Sequence, residues 1–404
     1  MCGKLLEKVV HTQILESIGD DILYKYQYGF RKGLSTSDAI RDLVDDLHKA
    51  INKGEVNIGI FLDFKKAFDT VDHTILINKL NGYGLRGRAK LWLENYLKDR
   101  KQVVRVNGAI SSERTSKVGV PQGSILGPLL FLFYINDIKD CLQQGKMRLF
   151  ADDANIFYKT SDPEAAVRLI QEDINSLDTW LKVNKLTLNA AKCNYIVIKN
   201  PRKSIPQLAL HLQDKALSRT ESINYLGIFI DQHLTFKDHV DHVCNNISPA
   251  VGILSKVRWI LPRNVCILLY NALIHCRLSY CIESWGSASD HVLHPLEILQ
   301  KRAIRFICFK SFTDHTLPLF KTLGILSVRS IFYHKICLLV FKELHGLNKV
   351  DSFGFRFAQH SMGTRSVSDQ LLCIPNTAVS LGPLSSRKEP CAVCWQRCSK
   401  HCSA

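Results

Sequence analysis

Long apolar runs are what this sequence most plainly lacks. Its longest, residues 129–135 (LLFLFYI), falls far short of the roughly 20 residues that a bilayer-spanning helix needs, so no transmembrane helix is expected. The amino-terminal MCGKLLEKVVHTQ has lysines interleaved at helical spacing and no apolar core of the kind a signal peptide requires, which places the expected protein inside the cell. Internal repeats and long low-complexity tracts are missing too. Acidic residues are in deficit, 37 against 53 Lys and Arg, and a net charge of +16 favours a polyanionic partner over an acidic small ligand. Nucleic acid comes first on that ground and an anionic membrane surface second. What is present, 404 residues with 46% hydrophobic and 22% charged, excludes a wholly disordered chain and suits two or three domains. The 14 cysteines follow no repeating frame, so most read as small buried hydrophobes. Cys391, Cys394, Cys398 and Cys402, with His401, crowd into one tail, either as zinc ligands or as reactive thiols of an unstructured end; their spacing is too compact for paired zinc knuckles.

The chain's periodicity alternates. Ala39, Ile40, Leu43, Val44, Leu47, Ala50 and Ile51 recur every three or four positions and predict an amphipathic helix over 36–53, stopped by Gly54. NIGIFLDF (57–64) reads as a strand covered on both faces and ending on Asp63, and KKAFDTVDHTILINKL returns to helical spacing through Phe68, Val71, Ile75 and Leu80. QVVRV with Asn107 and Gly108 predicts half of a hairpin. VGVPQGSILGPLLFLFYINDI sets glycines and a proline before an apolar helix, and MRLFADDANIFYK predicts two strands with Asp152 and Asp153 at their bend. Asp162 as cap and Pro163 at the first position open a further helix. KLTLN, CNYIVIK and YLGIFID are strand-like, and from Phe236 to about Gly346 the period is helical and the composition basic.

A lone strand-end Asp63 is ordinarily a cap or a solvent-facing residue, and an Asp-Asp bend is equally bland. Together in one α/β domain they would bring their carboxylates to one sheet edge. Clustered carboxylates repel unless a cation neutralises them, and hard oxygen ligands suit Mg²⁺. A two-metal phosphoryl-transfer site follows, with a two-metal nuclease as a distant alternative that gives no role to PQG.

FLDFKKAFDTVDH, VGVPQGSILGPLLF and FADDANIF, in that order, resemble the three palm motifs of reverse transcriptases of non-long-terminal-repeat (LINE-type) retrotransposons. QYGFRKGLST, NAAKCNYIVI and YLGI resemble the family's further motifs. The resemblance implies an α+β right-hand polymerase palm, an antiparallel sheet flanked by helices, with partial fingers and a mainly helical thumb or connector. It implies RNA-directed DNA polymerase activity with Mg²⁺ (or Mn²⁺) on an RNA template, a DNA primer or RNA–DNA duplex, and deoxynucleoside triphosphates. Asp63 and Asp152 would hold the metals with the Phe64 carbonyl, and Asp153 would be the third carboxylate. Phe68 would bar the sugar 2′-hydroxyl. Pro121, Gln122 and Gly123 would lie under the incoming nucleotide, Arg31 would contact its triphosphate, and Lys192 would protonate the leaving pyrophosphate. Tyr225, Leu226 and Gly227 would grip the primer, though by sequence alone they are a strand with a bulge glycine. Lys256, Arg258, Arg263, Lys301, Arg302 and Arg305 would meet duplex phosphates.

The implied boundaries are 1–57 for partial fingers, 58–231 for the palm, 232–346 for the thumb or connector and 347–404 for a loosely ordered tail. The chain departs from the pattern in three ways. No Arg-Pro-Ile segment or endonuclease precedes GKLLEKVV, Pro249 interrupts the expected thumb helix, and nothing familiar follows TRS (364–366). A truncated element copy is therefore expected, with nuclear placement, and a catalytically silent nucleic-acid-binding relic stands as the alternative.

Overall fold

The structure, a computed structural model, describes residues 2–347 apart from 190 and 214, together with the short pairs Arg356–Phe357 and Leu372–Cys373. The cysteine-rich tail expectation, with Cys391, Cys394, Cys398, Cys402 and His401, lies outside the described residues.

A short, mostly apolar run carrying three β-branched residues suits the middle of a sheet, and Val56–Leu62 (β1) takes that place with six of its seven residues buried. Lys146–Phe150 (β2) and Asp153–Thr160 (β3) are the predicted strand pair, antiparallel from Lys146↔Phe157 to Phe150↔Asp153. β3 also runs antiparallel to β1, from Val56↔Thr160 to Leu62↔Ala154. Asn194–Ile198 (β4) and Ser218–Thr220 (β5) complete a sheet of order β5-β4-β1-β3-β2. The expected antiparallel sheet needs one correction, because β5 pairs parallel to β4. A parallel neighbour requires a crossover, and the twenty or so residues between these strands, opening on the proline-bearing 200–206 stretch, supply its length. KLTLN forms no full strand and contributes only an isolated bridge of Leu188 to Phe64.

The chain divides into two compact units. The first joins Met1–Ser35, Val56–Val197 and Lys203–Thr220. Its core lies under the sheet, where Ile170, Ile174, Leu177 and Leu181 form the buried stripe of the Pro163–Val183 helix. Asp162 caps that helix as expected, its Oδ1 accepting from the amides of Glu164 and Ala165 at 3.1 Å. The Leu126–Ile135 helix is apolar all round and buried all round, with nine of its ten residues out of solvent. Arg105–Val106 pairs with Ala109–Ile110 across Asn107 (φ 49°) and Gly108 (φ 87°), the positive-φ pair that a two-residue hairpin turn requires.

The second unit joins Thr36–Glu55, Ile198–Arg202 and the chain from Glu221 onward. Its Thr36–Asn52 helix buries the predicted stripe from Ala39 to Ala50 and leaves Ile51 half-buried, and Gly54 takes a φ of 76° just past its end. Ser222–Tyr225 (β6) and Ile228–Asp231 (β7) form a hairpin, followed by the helices Lys237–Val257, Arg263–Tyr270, Asp290–Ile307, Leu317–Leu323 and Val328–Leu344. Pro249 does not interrupt the Lys237–Val257 helix, contrary to expectation, and Pro295 likewise sits inside Asp290–Ile307. A proline removes one backbone hydrogen bond, and packing of Val240, Val243, Ile247, Val251 and Leu254 holds the former helix together regardless. The real break comes later, at Tyr280 and Cys281 (φ 48°). Among the described residues no single helix is long and apolar enough to cross a membrane; Leu317–Leu323 and Val328–Leu344 meet that measure only as a pair bent by 52°.

Candidate active site

Three carboxylates are brought to one edge of the sheet in the first unit. β1 ends at Leu62, opposite Ala154, so Asp63 leaves the sheet at the edge where Asp153 opens β3. Ala151 and Asp152 form the turn between β2 and β3, and Ala151 adopts a φ of 55° to make it. Partial burial, then the charges of Asp152 and Asp63, push the Asp153 carboxyl above the usual carboxylate range. Mutual repulsion of this kind between hard oxygen donors fits a divalent cation in kind. Even so, among the described residues no three His, Cys, Asp or Glu side chains are gathered closely enough to hold a metal ion as they stand. The bridge between Phe64 and Leu188 engages the Asp63 carbonyl, which accepts from Asn189, and the Lys65 amide, which donates to Thr187. Neither bond uses the Phe64 carbonyl.

Lys192 reaches this group, its Nζ 3.7 Å from Asp63 Oδ2 with 70% of its side chain exposed. So loose and wet an ion pair holds Lys192 near the carboxylates without fixing it.

Phe68 departs from the predicted helix. The helix begins only at His73, where Asp72 Oδ1 caps it by accepting from the Ile75 amide at 3.0 Å. Phe68 instead lies on a 3₁₀ turn, Ala67–Asp69, entered through Lys66 at φ 48°. Its ring leans on Phe131 (centroids 4.4 Å apart) and meets Phe30 edge-on at 6.2 Å. The helical period of Phe68, Val71 and Ile75 is coincidental, because Asp72 competes for the backbone as a cap.

The PQG segment docks on this turn. Gly119 donates to Val71 O at 2.7 Å, Val120 donates to Phe68 O at 2.8 Å, and Gln122 Nε2 donates to Asp69 Oδ1 at 2.9 Å. Gly119 is the close approach here: with φ 87°, a Cβ would come within 2.8 Å of the Asp69 carbonyl oxygen. Gly123 needs glycine for φ 79° alone, since a Cβ there would meet nothing within 4 Å among the described residues, and its neighbours Pro121 and Gln122 keep solvent access.

Arg31 turns into its own loop. Its side chain is only 10% exposed, Nη1 donating to the carbonyls of Tyr24 and Gln27 and Nη2 to Asp20 O and Oδ2. A guanidinium presents five donors in a fixed fork, and its four contacts inside the 20–31 loop staple that loop.

Sequence reasoning missed Gln27. Its side chain is buried, and Oε1 accepts from Gly29 N at 2.9 Å and from Ala151 N at 3.0 Å. Gln27 also bridges in parallel to Leu149, so the loop runs beside β2 and ties down the residue before Asp152. Gly29 allows that approach, because a Cβ would lie 2.4 Å from Ala151 N. The available signal was QYGF itself, a glutamine and a glycine two apart in an otherwise apolar-aromatic turn.

The remaining expected residues belong to the second unit. Leu226 (φ 49°) and Gly227 (φ 86°) are the turn of the β6–β7 hairpin and not a strand with a bulge. Asn224 Oδ1 accepts from the Gly227 amide, Tyr280 Oη donates to Leu226 O at 2.6 Å, and Tyr225 is buried beneath. Lys256, Arg263 and Arg302 are exposed, while Lys301 stands 3.9 Å from Glu297. Arg258 lies over the Trp259 and Phe306 rings, and Arg305 donates to Asp314 O and lies over Phe312.

Residues 1–230 match the family described as reverse transcriptase (RNA-dependent DNA polymerase). The chain is 28% identical over 322 residues to the probable RNA-directed DNA polymerase from transposon X-element of Drosophila melanogaster, covering 76% of this chain and 34% of that protein. It is also 28% identical over 321 residues to the RNA-directed DNA polymerase from mobile element jockey of Drosophila funebris, with the same coverages. It thus spans about a third of the length of these relatives. Among solved structures, telomerase from Candida albicans in complex with a telomeric RNA fragment is similar at a TM-score of 0.41 and 14% identity, over 86% of this chain and 51% of that one.

Proposed function

The chain belongs to the reverse transcriptase family, whose members generally use a divalent metal and bind RNA and DNA, and from that membership we propose that it is an RNA-directed DNA polymerase. It extends a primer 3′-hydroxyl with deoxynucleotides on an RNA template. The observation that carries the reading is the β2–β3 turn, which sets Asp152 and Asp153 at the sheet edge where β1 ends and Asp63 leaves it. Asp63 and Asp152 would hold Mg²⁺, or Mn²⁺ in its place, with Asp153 and the Phe64 carbonyl beside them. A cation bound there supplies Lewis-acid activation of the hydroxyl and neutralises the triphosphate. Phe68, braced by Phe131, stands against the sugar and rejects a 2′-hydroxyl by bulk, while the PQG turn carries the nucleotide. In this reading residues 1–57 are partial fingers, 58–231 palm and 232–346 thumb or connector, and the protein works in the nucleus.

A second reading, a nucleic-acid-binding relic without activity, draws support from Arg31, whose engagement in its own loop leaves the triphosphate short of a cation. Primer extension on poly(rA)–oligo(dT) with Mg²⁺ and Mn²⁺ separates the two. Metal-dependent extension that vanishes in a folded Asp152→Ala variant is the expected result, with Phe68→Ala gaining ribonucleotide incorporation. Retained extension by Asp152→Ala would sink the polymerase assignment, and duplex binding with no extension under either metal would establish the relic.

A further inference from the structure

In the second unit, the end of the Lys237–Val257 helix and the end of the Asp290–Ile307 helix come together as an exposed aromatic ridge. Trp259 is 71% exposed, Ile260 81% and Phe312 74%, with Phe309 about half exposed and meeting Trp259 edge-on at 5.2 Å. Exposed rings gathered in this way on one surface mark a contact site. Each outer ring has a guanidinium over it: Arg258 lies 4.6 Å from the Trp259 centroid and Arg305 lies 5.7 Å from that of Phe312. Residues 252–275 carry three Lys or Arg and residues 298–313 carry four, with no Asp or Glu in either segment. The acid next in sequence, Asp314, turns its carboxylate to the Ser311 amide.

We propose that this ridge binds single-stranded RNA, the rings stacking on unpaired bases while the surrounding cations take the phosphates. Rings that stand proud of a basic surface find no flat partner on a closed duplex, whose bases are already stacked, but every unpaired base offers a π-face. The seven cations of these two segments, with no Asp or Glu among them, favour a polyanion over a protein partner. Choosing RNA as the strand rests on the polymerase reading above; the stacking chemistry does not.

Binding of the full chain to fluorescently labelled probes, with no nucleotide present, tests this. The probes are a uridine-rich single-stranded RNA, a closed RNA duplex, the deoxy version of the single strand, and phosphatidylserine-containing vesicles. Trp259→Ala with Phe312→Ala should weaken single-stranded RNA binding roughly tenfold or more and leave duplex affinity unchanged, without altering the salt dependence. Arg263→Gln with Lys310→Gln should instead flatten the dependence on salt, by about 0.7 in logarithmic slope for each phosphate that is no longer neutralised. Equal losses on duplex and single strand, no loss on single-stranded RNA, preference for the deoxy strand, or a loss confined to vesicles would each overturn the proposal. Primer extension reports separately: its failure beside the expected binding pattern removes the polymerase reading and leaves the ridge intact.

Discussion

At the scale of single residues, Gln27 shows how a side chain far from the carboxylates in sequence sets their geometry. Two backbone amides point at its Oε1, one of them from Ala151, so the amide orientation is fixed by its donors. Gln27→Met should strand both donors and destabilise the protein by about 1–3 kcal/mol in urea unfolding. It should also speed hydrogen exchange at Ala151, whereas Gln27→Glu, which keeps the acceptor, should restore protection. Asp45 gives a prediction in pH. Burial first, then Asp42 and Asp46, raise its carboxyl to about 7 against the pull of Lys49 and Arg41, and its Oδ2 is buried with no hydrogen-bond partner among the described residues. The folded state therefore holds the proton more tightly than the unfolded chain. Stability is greatest below the ordinary carboxylate range and is lost as pH rises toward about 7. Asp45→Asn should raise Tm at pH 8 by several degrees and change it little near pH 4. Little of this was legible in the sequence beyond the QYGF spacing. Gln27 and Arg31 sit in a segment without periodicity; Gln27 turns inward to a partner more than 100 positions away, Ala151, and Arg31 to partners inside its own aperiodic loop.

Elements were more legible than residues, because a buried strand or an amphipathic helix writes its environment into its spacing. The β1 strand, the strand pair around Asp152 and Asp153, the Asp162 cap and the Asn107-Gly108 turn follow from local chemistry and appear where it puts them. The Phe68 turn does not, since apolar spacing alone cannot show that Asp72 restarts the helix. The parallel β5 edge was equally hidden, because strand direction is set by a crossover and not by the strand. Two glycines of one motif separate local strain from close packing. Gly119→Ala should unseat the PQG turn, destabilising by roughly 2 kcal/mol or more through both its φ and its clash with Asp69. Gly123→Ala, strained only in φ, should cost about 1 kcal/mol in the same urea titration.

Across the whole molecule, charge and chain path matter more than any one contact. A net charge of +16 predicts that affinity for RNA falls steeply and log-linearly with salt, and a titration between low and physiological ionic strength would read the slope. The chain path is the other inheritance of the fold. The Thr36–Asn52 helix packs against Ile282–Trp285, with the Ser37 hydroxyl 3.3 Å from Cys281 Sγ, although some 230 residues lie between them. A ribosome adding about 5–20 residues per second needs on the order of 10–50 s to deliver that partner. For that interval the helix's apolar stripe lacks this partner, so nascent chains are exposed to aggregation, and holdase chaperones that shield residues 36–52 should govern how much soluble protein a cell obtains.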